Sequence, residues 1–541
     1  MNNSYVITPD SDIYLLKCPL EMDSKHQLDF ANATAQESYF QGLTKILMDD
    51  ATYVRKDGRL YFEGSFDTLI SYNYCMYKNN NYSNKWFYAF VTDMNYENNN
   101  VVSCNLTTDV FQTWMFDLTF KASFVERTHV STNADTIGAY TYPEDLELGD
   151  YVSNNFHEVS EFQSQKLVVG TTINPYNLDQ VMMGAYQNIP SGAKYYYVDL
   201  DDNGIYYMQG FLQDATDATK QDAITSLFLA PAWLCTTTDT DPTHHLKPIT
   251  NTWTISSLDE PMINSVAGLD GYIPKNNKMY VYPYYYTLVT NGSGGSMILK
   301  PELWESNTHE FRIYGTITPG CSIVGMPIDY DGDAVAWTHA LPLGKYPQCN
   351  YSTDQYTNWC TQNGLNNKIQ MATGWLNLIQ GSANLTNAIG AMAVEGNVSG
   401  YGGDVSNATS QLATGYVTIA NAMQQKYLAH LAPPQFEGNT NSGDIWSSCQ
   451  KITFRFNYMS IRYEYAQRID NFFTVFGYKV NKMTVMNTTS RSNWNYIKTL
   501  ECNVVGDVPE SDLQRIKALY NGGFTIWHKP QYFMDYSQNN T

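Results

Sequence analysis

Most hydrophobic positions of the chain fall in short runs of aromatic and β-branched residues that are bounded by turn residues. Such runs are typical of β-strands, and two runs around a short polar turn are typical of a β-hairpin. The pattern predicts hairpins in residues 53–62, 86–109, 195–208, 280–299 and 311–326. Successive hairpins indicate antiparallel sheets that are closed as barrels or stacked as sandwiches.

Helical periodicity is concentrated near the end of the chain. Before Gly477, a typical C-terminal cap, one helical face collects Ile461, Tyr465, Ile469, Phe472, Phe473 and Phe476. A second helix is predicted before the turn at residues 521–523, with an apolar side formed by Leu513, Ile516 and Leu519. Strands are predicted at residues 452–457 and 524–528, so we expect both helices to brace a sheet. The predicted fold is mainly β, with antiparallel barrel or sandwich domains and a few α-helices near the C-terminus.

Residues 369–425, called the low-charge segment below, differ from the rest of the chain. They contain two charged residues, Glu395 and Asp404, and neither Lys nor Arg. Residues 371–394 are free of charge, and a helix of that length would be long enough to cross the roughly 30 Å hydrocarbon core of a bilayer. The segment is therefore a long hydrophobic loop, although it is too rich in Gly, Asn and Gln for a simple single span.

The polar residues of the low-charge segment recur at steps of three and four, which places them on one helical face. In its first half they are Thr373, Asn377, Gln380, Asn384 and Asn387, with Trp375, Leu376, Ile379, Leu385, Ile389 and Met392 elsewhere. In its second half they are Asn407, Gln411, Thr414, Thr418, Asn421 and Gln425, with Leu412, Val417, Ile419 and Met423 off that face. A glycine-rich stretch, residues 396–406, separates the halves. The pattern predicts a helical hairpin with a flexible tip.

Three interpretations of this segment are open: a pair of core helices in a soluble protein, a disordered Gly- and Ala-rich loop, or a membrane-active pore element. The absence of Lys and Arg weighs against a loop that stays in water, because charge keeps exposed segments soluble. A ring of copies would turn the amide side chains inward around water and leave Leu, Ile, Val and Met to lipid. We therefore predict membrane or pore activity here.

Composition restricts the function further. The 541-residue chain has 32 Lys and Arg against 53 Asp and Glu, a formal net charge of −21 at pH 7. Such a chain gains nothing from neutralising phosphates, so double-stranded DNA is expected to pass without specific binding. Nine cysteines without a CxxC pair indicate reduced thiols, and the first ten residues show no secretory signal, so synthesis in the cytoplasm is expected.

Clusters of catalytic or metal-binding residue types have simpler explanations as surface turns and acidic loops. The acidic stretches at residues 199–204 and 329–334 lack the spacing of a calcium loop. Asp239, Asp241, His244 and His245 lack the spacing of a zinc site, and Glu144, Asp145 and Glu158 are explained by the abundance of acids. Nucleophile-elbow, P-loop and dinucleotide motifs are absent from the sequence. We predict no catalytic residue, no metal site, no cofactor and no enzyme.

Both ends of the chain carry motifs of a known family. At the N-terminal end they are NKWFYAFV (residues 84–91), DVFQTWMFD (109–117) and SFVERTHV (123–130). At the C-terminal end they are Phe472-Phe473, residues 477–481, Arg491, Asn495-Tyr496, Cys502, Gly506-Asp507, Leu513-Gln514 and residues 525–528. In order and spacing these resemble the tail knob family, the major tail proteins of small short-tailed podoviruses that infect Gram-positive bacteria.

The resemblance implies a virion protein that forms a homo-hexameric, mostly β tube at the distal end of the tail, through which the genome leaves. It also implies that a hydrophobic loop from each subunit plugs the tube and then penetrates the host cell membrane, and that tail tube, connector and distal tip proteins are partners. The low-charge segment occupies the matching place in the chain.

The implied domains follow from the same resemblance. Residues 1–130 and 436–541 form the N-terminal and C-terminal parts of the tube domain, the latter with mixed α and β structure. Residues 131–310 form a middle β domain, where the resemblance is weak, and residues 311–360 form a β connector. The plug is residues 361–435.

Two further expectations concern function. Protonation of Glu395 and Asp404 near the tip should lower the cost of crossing a membrane, because a neutral carboxyl group is far cheaper to bury than a charged one. The alternative function is a tail protein that degrades or binds host wall glycans, the latter through tyrosine clusters at residues 195–197 and 284–286, although tyrosines stacked inside a sheet are the simpler interpretation.

Overall fold

A computed structural model describes most of the chain outside the low-charge segment. The described residues are 11–51, 59–79, 85–162, 164–176, 183–186, 189–201, 203–204, 206–207, 224–250, 255–262, 267–292, 294–317, 321–343, 348–350, 352–353, 410, 414, 418, 421, 435–436, 453–538 and 540. Contacts divide the chain into two units. Unit 1 comprises Met1–Gly149, Tyr272–Val281 and Tyr463–Thr541, and unit 2 comprises Asp150–Gly271 and Tyr282–Arg462.

Strands are numbered along the chain. Those of unit 1 are β1 (Ser11–Leu16), β2 (His26–Leu28), β3 (Lys45–Ala51), β4 (Arg59–Glu63), β5 (Tyr74–Asn79), β6 (Phe87–Asn98), β7 (Val101–Thr108), β8 (Leu118–Phe120), β9 (Ser123–Thr128), and, after unit 2, β27 (Tyr478–Thr484), β28 (Trp494–Glu501), β29 (Val504–Gly506) and β30 (Phe524–Trp527). The helices described here are α1 (Ala33–Gln41), α2 (Phe66–Leu69), α3 (Val110–Trp114), α4 (Tyr463–Phe476) and α5 (Glu510–Gly522).

Two sheets dominate unit 1. The six-stranded sheet has the order β3-β1-β5-β6-β7-β4, and the five-stranded sheet has the order β2-β30-β28-β9-β27. β2 and β9 come from the start of the chain, whereas β27, β28 and β30 come from its end. β9 pairs antiparallel with both β27 and β28, and β2 pairs parallel with β30. The two ends of the sequence therefore form one folded unit.

The core of unit 1 is rich in aromatic side chains. Phe40 of α1 stacks on Tyr74 with ring centroids 5.5 Å apart, and Trp494 packs against Trp527 at 5.2 Å. A second cluster joins the six-stranded sheet to α5 through apolar residues that include Leu15, Trp114, Ile497, Ile516 and Phe524. The Trp114 indole also donates a hydrogen bond of 2.8 Å to Asp512 Oδ2 at the start of α5. These contacts confirm that the late helices brace a sheet.

Both predicted helix ends are confirmed. Gly477 follows α4 with φ of 63° and donates its N–H to Phe473 O at 2.8 Å. Gly523 follows α5 with φ of 80° and bonds back to Leu519 O at 3.1 Å. A side chain at Gly477 would also lie only 2.4 Å from the Thr128 backbone, so glycine is required there for both conformation and space.

Unit 2 is described through many short strands. They are β10 (Tyr151–Glu158), β11 (Gln165–Thr171), β12 (Met183–Tyr186), β13 (Ile189–Asp199), β14 (Ile224–Pro231), β15 (Lys247–Pro248), β16 (Ile255–Pro261), β17 (Tyr285–Thr290), β18 (Ser296–Leu299), β19 (Glu310–Thr316), β20 (Ser322–Tyr330), β21 (Asp333–Val335), β22 (Leu341–Pro342), β23 (Gln348–Asn350), β24 (Ser352–Thr353), β25 (Gln435–Phe436) and β26 (Arg455–Ile461).

The pairs within unit 2 are antiparallel. Its sheets have the orders β10-β26-β17-β18, β12-β13-β11-β14-β23 with β15 on β13, β16-β19-β20-β21 with β22 on β20, and β24-β25. The ring of Phe311 packs edge-on against Phe454 and Phe456. A side chain at Gly325 would lie 2.2 Å from the Phe311 ring, so this core position requires glycine. The mainly β, antiparallel fold class is confirmed.

Three predicted hairpins are confirmed: β6 pairs with β7, β17 with β18, and β19 with β20. The prediction for residues 195–208 is wrong, because β13 ends at Asp199 and residues 206–207 are helical. Asp201 Oδ1 instead accepts the Gly204 N–H at 2.7 Å, a local turn that favours a helical bend over a return strand. In residues 53–62, β4 pairs with β7, and residues 53–58 lie outside the described residues.

Asp109 provides a test of the unit 1 core. It caps α3 by accepting the Phe111 and Gln112 N–H groups at 3.1 Å, and Tyr74 Oη donates to it at 3.0 Å. Burial nevertheless raises the pKa of this carboxyl to about 6. The native state therefore binds more protons than the unfolded chain between about pH 4 and 6, and this group's contribution to stability is lost as the pH rises through that window.

An Asp109→Asn variant should keep the cap and remove the buried charge. Urea unfolding gives the difference in the free energy of unfolding, variant minus wild type, at each pH. We expect this difference to be lower by on the order of 2 kcal/mol at a pH of about 4.5 than at about 7.5, because acid stabilises the wild type through Asp109. The exposed Asp67→Asn is the matched control and should show little change. A difference for Asp109→Asn that is constant with pH would contradict a raised pKa.

Candidate functional site

The two ends of the low-charge region lie side by side. β24 and β25 form an antiparallel pair in which Ser352 is opposite Phe436 and Thr353 is opposite Gln435. Thr353 and Gln435 are therefore neighbours, and residues 354–434, which lie between them in the sequence, are called the loop below. We call the β24–β25 pair the stem of this loop.

Described strands of unit 2 lie before and after the stem in the sequence. Just before it, β23 pairs with β14 at the edge of the six-stranded sheet of unit 2. After it, β26 lies between β10 and β17 in the four-stranded sheet. The side chains of Phe454 and Phe456 are fully buried there. The described strands nearest to the stem in sequence thus belong to the larger sheets of unit 2.

Four residues within the loop are described, and all four are helical: Ser410, Thr414, Thr418 and Asn421. Their steps of four, four and three place them on one helical face. Thr414 Oγ1 donates to Ser410 O at 2.9 Å, and Thr418 Oγ1 donates to Thr414 O at 2.8 Å. Hydroxyl groups satisfied by their own helix cost less to remove from water.

The other predicted site residues lie outside the described residues. These are Trp375, Leu376, Asn377, Ile379, Gln380, Asn384, Leu385, Asn387, Ile389, Met392, Glu395, Asp404, Gln411, Leu412, Val417, Ile419 and Met423. Their role stays a prediction. Within the described part of the chain, no helix combines the length and the apolar character needed to span a membrane.

A buried carboxylate in unit 1 holds the short segment Tyr272–Val281 against α4. Asp470 accepts hydrogen bonds from Tyr272 Oη and the Lys275 N–H at 2.8 Å, and from Asn276 Nδ2 at 2.8 Å. Its side chain is fully buried, and these donors replace the water that the charge has lost. The segment contains no strand, so its position depends on such side-chain contacts.

A second buried carboxylate holds the same segment. Glu144 forms ion pairs with Lys278 and Arg127 and accepts the Lys479 N–H at 2.9 Å. Burial lowers the pKa of Lys278, and the adjacent Glu144 carboxylate opposes that change. Glu144 is therefore a structural ion-pair partner. These contacts explain the residue without the catalytic role that two neighbouring acids, Glu144 and Asp145, could suggest.

A cavity of about 240 Å³ lies in unit 1 beside these contacts. Its lining includes His129, Lys275, Asn276, Arg491, Gln538 and Asn540. Burial lowers the pKa of His129 to about 3, with smaller contributions from Arg491 and Arg127, so its ring is neutral. His129 Nδ1 accepts the Tyr496 N–H at 2.7 Å. The sequence did not reveal this cavity, because its residues come from distant parts of the chain. His129 and Arg491 both belong to the family motifs, but nothing in the sequence indicates that they lie close together.

The remaining candidate clusters have structural explanations. His244 Nδ1 lies 2.7 Å from Asp239 Oδ2 and its ring stacks on Tyr176. Among the described residues, no group of His, Cys, Asp and Glu is arranged to hold a metal ion. In the tyrosine clusters, Tyr195, Tyr196, Tyr284 and Tyr285 are buried, which favours a packing role over glycan recognition.

Curated relatives match along almost the whole chain. The tail knob protein gp9 of Bacillus phage phi29 is 23% identical, with 97% of this chain and 98% of the relative covered. The tail knob protein gp9 of Bacillus phage B103 is 24% identical, with 99% of each covered. The solved structure of the bacteriophage C1 tail knob protein gp12 matches with a TM-score of 0.67 at 15% identity, over 98% of this chain and 99% of that one, which supports the fold.

Two family models match separate parts of the chain. The model described as Caudoviral major tail protein N-terminus matches residues 10–119. The model described as Bacillus phage phi29 tail knob protein gp9, C-terminal domain, matches residues 246–541, which is more than half of the chain. The chain therefore belongs to the family of phage tail knob proteins related to gp9 of phi29, and is a component of the virion tail.

Proposed function

We propose that six copies of this protein form a tube at the distal end of a short phage tail, and that the genome leaves through it. In this proposal the loop of residues 354–434 from each copy plugs the tube and then enters the host cell membrane. The protein is structural and catalyses no reaction. Its partners are its own copies, the adjacent tail tube or connector proteins, the distal tip protein and the host membrane.

The stem is the observation that carries this proposal. A segment whose ends are paired can move outward as one piece while the sheets beneath it stay folded. Residues 354–434 have this connection, and they contain the low-charge segment. The threonine hydrogen bonds along the described helical face further favour a segment that can leave water.

Open strand edges support assembly into a ring. β27 is at the edge of its sheet and, among the described residues, pairs only with β9. Two large apolar side chains at this edge, Met483 and Val485, are 62% and 57% exposed. A neighbouring copy would cover both the unpaired backbone groups and the apolar side chains. The shared sheet of β2, β9, β28 and β30 supports a tube wall built from residues 1–130 together with residues 463–541, the part of residues 436–541 that belongs to unit 1.

Charge supports the role of a conduit. With a net charge of −21 per copy, a ring of six repels DNA and releases no counterions on contact with it. DNA would therefore slide through the tube. A wall with many cationic side chains would hold the DNA and slow its exit.

Removing the loop at its stem tests the proposal directly. Because Thr353 is opposite Gln435, a Gly-Ser turn of two to four residues can replace residues 354–434 without moving the strands. We expect the shortened protein to fold and to form the same oligomer, as measured by native mass spectrometry. It should lose the ability to release dye from liposomes.

A matched control keeps the length of the loop and replaces residues 369–425 with a Gly-Ser-Asn sequence. This variant should also assemble without releasing dye, which would assign the activity to the sequence of the segment. Phages that carry the shortened protein and still infect would overturn the membrane role. A wild-type protein that is monomeric at all concentrations would overturn the tube.

Conductance measurements test the polar stripe. Leucine at Asn377, Asn384, Asn407 and Asn421 should leave the oligomer intact and reduce single-channel conductance in planar bilayers several-fold, because apolar walls exclude water from a narrow pore. Glutamine at the same four positions keeps the amide and should retain conductance. Equal conductance in the leucine and wild-type proteins would show that the stripe does not face water.

The two acids of the segment predict a pH dependence. Carboxyl groups with pKa values near 4 take up protons as the pH falls, so dye release by the full-length protein should rise towards a pH of about 5. A Glu395→Gln, Asp404→Asn double variant should release dye at pH of about 7 to the same extent as at 5. If Glu395→Lys leaves the profile unchanged, protonation of the tip does not control entry.

A further inference from the structure

We propose that the unit 1 cavity lined by Lys275 and Arg491 binds a small phosphate-bearing ligand. The inference concerns a site separate from the loop and does not depend on membrane entry. It is based on the charge, the available donors and the size of the cavity.

The lining of the cavity has the opposite charge balance to the chain. Acidic residues outnumber basic ones by 53 to 32 in the whole sequence. Of the described residues that line the cavity, none is acidic and two are cationic. His129 adds no charge because it is neutral. The nearest carboxylates are Asp135, which pairs with Arg491, and Asp470, which accepts from the Lys275 N–H and Asn276. The exposed ammonium of Lys275 is therefore the group through which the cavity attracts anions, in a protein whose surface otherwise repels them.

The guanidinium of Arg491 retains donor capacity. Its Nε makes one short hydrogen bond, 2.6 Å to Val130 O. Its Nη atoms make longer contacts: 3.4 Å to Asp135 Oδ2, with which Arg491 forms an ion pair, 3.4 Å to Asn540 O and 3.5 Å to Thr132 Oγ1. The side chain is 10% exposed, so it is held in place on the cavity wall. Phosphate oxygens would accept from these Nη groups at shorter distances.

The position of Lys275 is fixed through its backbone. Its N–H donates to Asp470 Oδ2 at 2.8 Å, and the neighbouring Asn276 donates to the same carboxylate. Its side chain remains exposed, and within the described part of the chain its ammonium group forms no ion pair. It can therefore approach a ligand at low conformational cost to the fold.

Size and charge together indicate the class of ligand. The cavity holds the volume of roughly eight water molecules. This accommodates inorganic phosphate or a phosphate ester of a short polyol. A phosphate monoester carries a charge between about −1.5 and −2 at pH 7, which matches two cations better than a single carboxylate does.

Isothermal titration calorimetry of the full-length protein with inorganic phosphate and with glycerol 3-phosphate tests the site. We expect saturable binding of at least one probe and weaker or no binding of acetate. Lys275→Gln should weaken binding about fivefold, and Lys275→Glu more than tenfold. Tighter binding of glycerol 3-phosphate than of inorganic phosphate would identify the ester as the ligand class; the reverse order would identify the free ion.

The exposed Lys121→Glu carries the same charge change and does not line the cavity, so it should bind as the wild type does. Thermal unfolding of all three variants without a probe checks that they are folded. The proposal is overturned if neither probe binds at about 10 mM, if Lys275→Glu binds as tightly as the wild type, or if Lys121→Glu weakens binding equally.

Discussion

Backbone hydrogen bonds between strands from opposite ends of the chain hold unit 1 together. β9 pairs on one side with β28 and on the other with β27, so strands near residues 125 and 480 to 500 satisfy one another's backbone groups. Each of these groups that was buried without a partner would cost about 1–3 kcal/mol. The aromatic core around Trp494 and Trp527 forms on this sheet, and the positions of α4 and α5 follow from it.

Buried carboxylates hold unit 1 together at the segment Tyr272–Val281, where no strand is present. Asp470 and Glu144 collect hydrogen bonds and ion pairs from the ten residues Tyr272–Val281, which arrive from unit 2 in sequence and return to it. Fully satisfied carboxylates of this kind specify one arrangement, since any other leaves a charge buried without a partner.

The sequence predicted the local elements well and the long-range pairings poorly. Turn residues such as Asn98–Asn100 and the cap Gly477 act over a few residues, so hairpins and helix ends could be recognised. The pairing of β9 with β28 could not, because alternating patterns do not identify their partners. The predicted hairpin ending at Met208 failed for a local reason: the Asp201 side chain competes with the backbone for the Gly204 N–H.

The low-charge segment was found through its composition, which can be recognised without knowing what the segment pairs with. The stem that joins its ends has only two residues per strand, too short for any pattern to reveal.

Because the two units alternate along the chain, they can be completed only at different times during translation. Unit 2 is complete once the ribosome has passed Arg462, whereas the central sheet of unit 1 lacks β28 and β30 until the last residues are made. At about 5 to 20 residues per second, β9 waits roughly 20 to 80 s for its partner strand. During translation the edges of β9 therefore remain unpaired until β28 has been made, and unpaired strand edges are the sites at which chains associate.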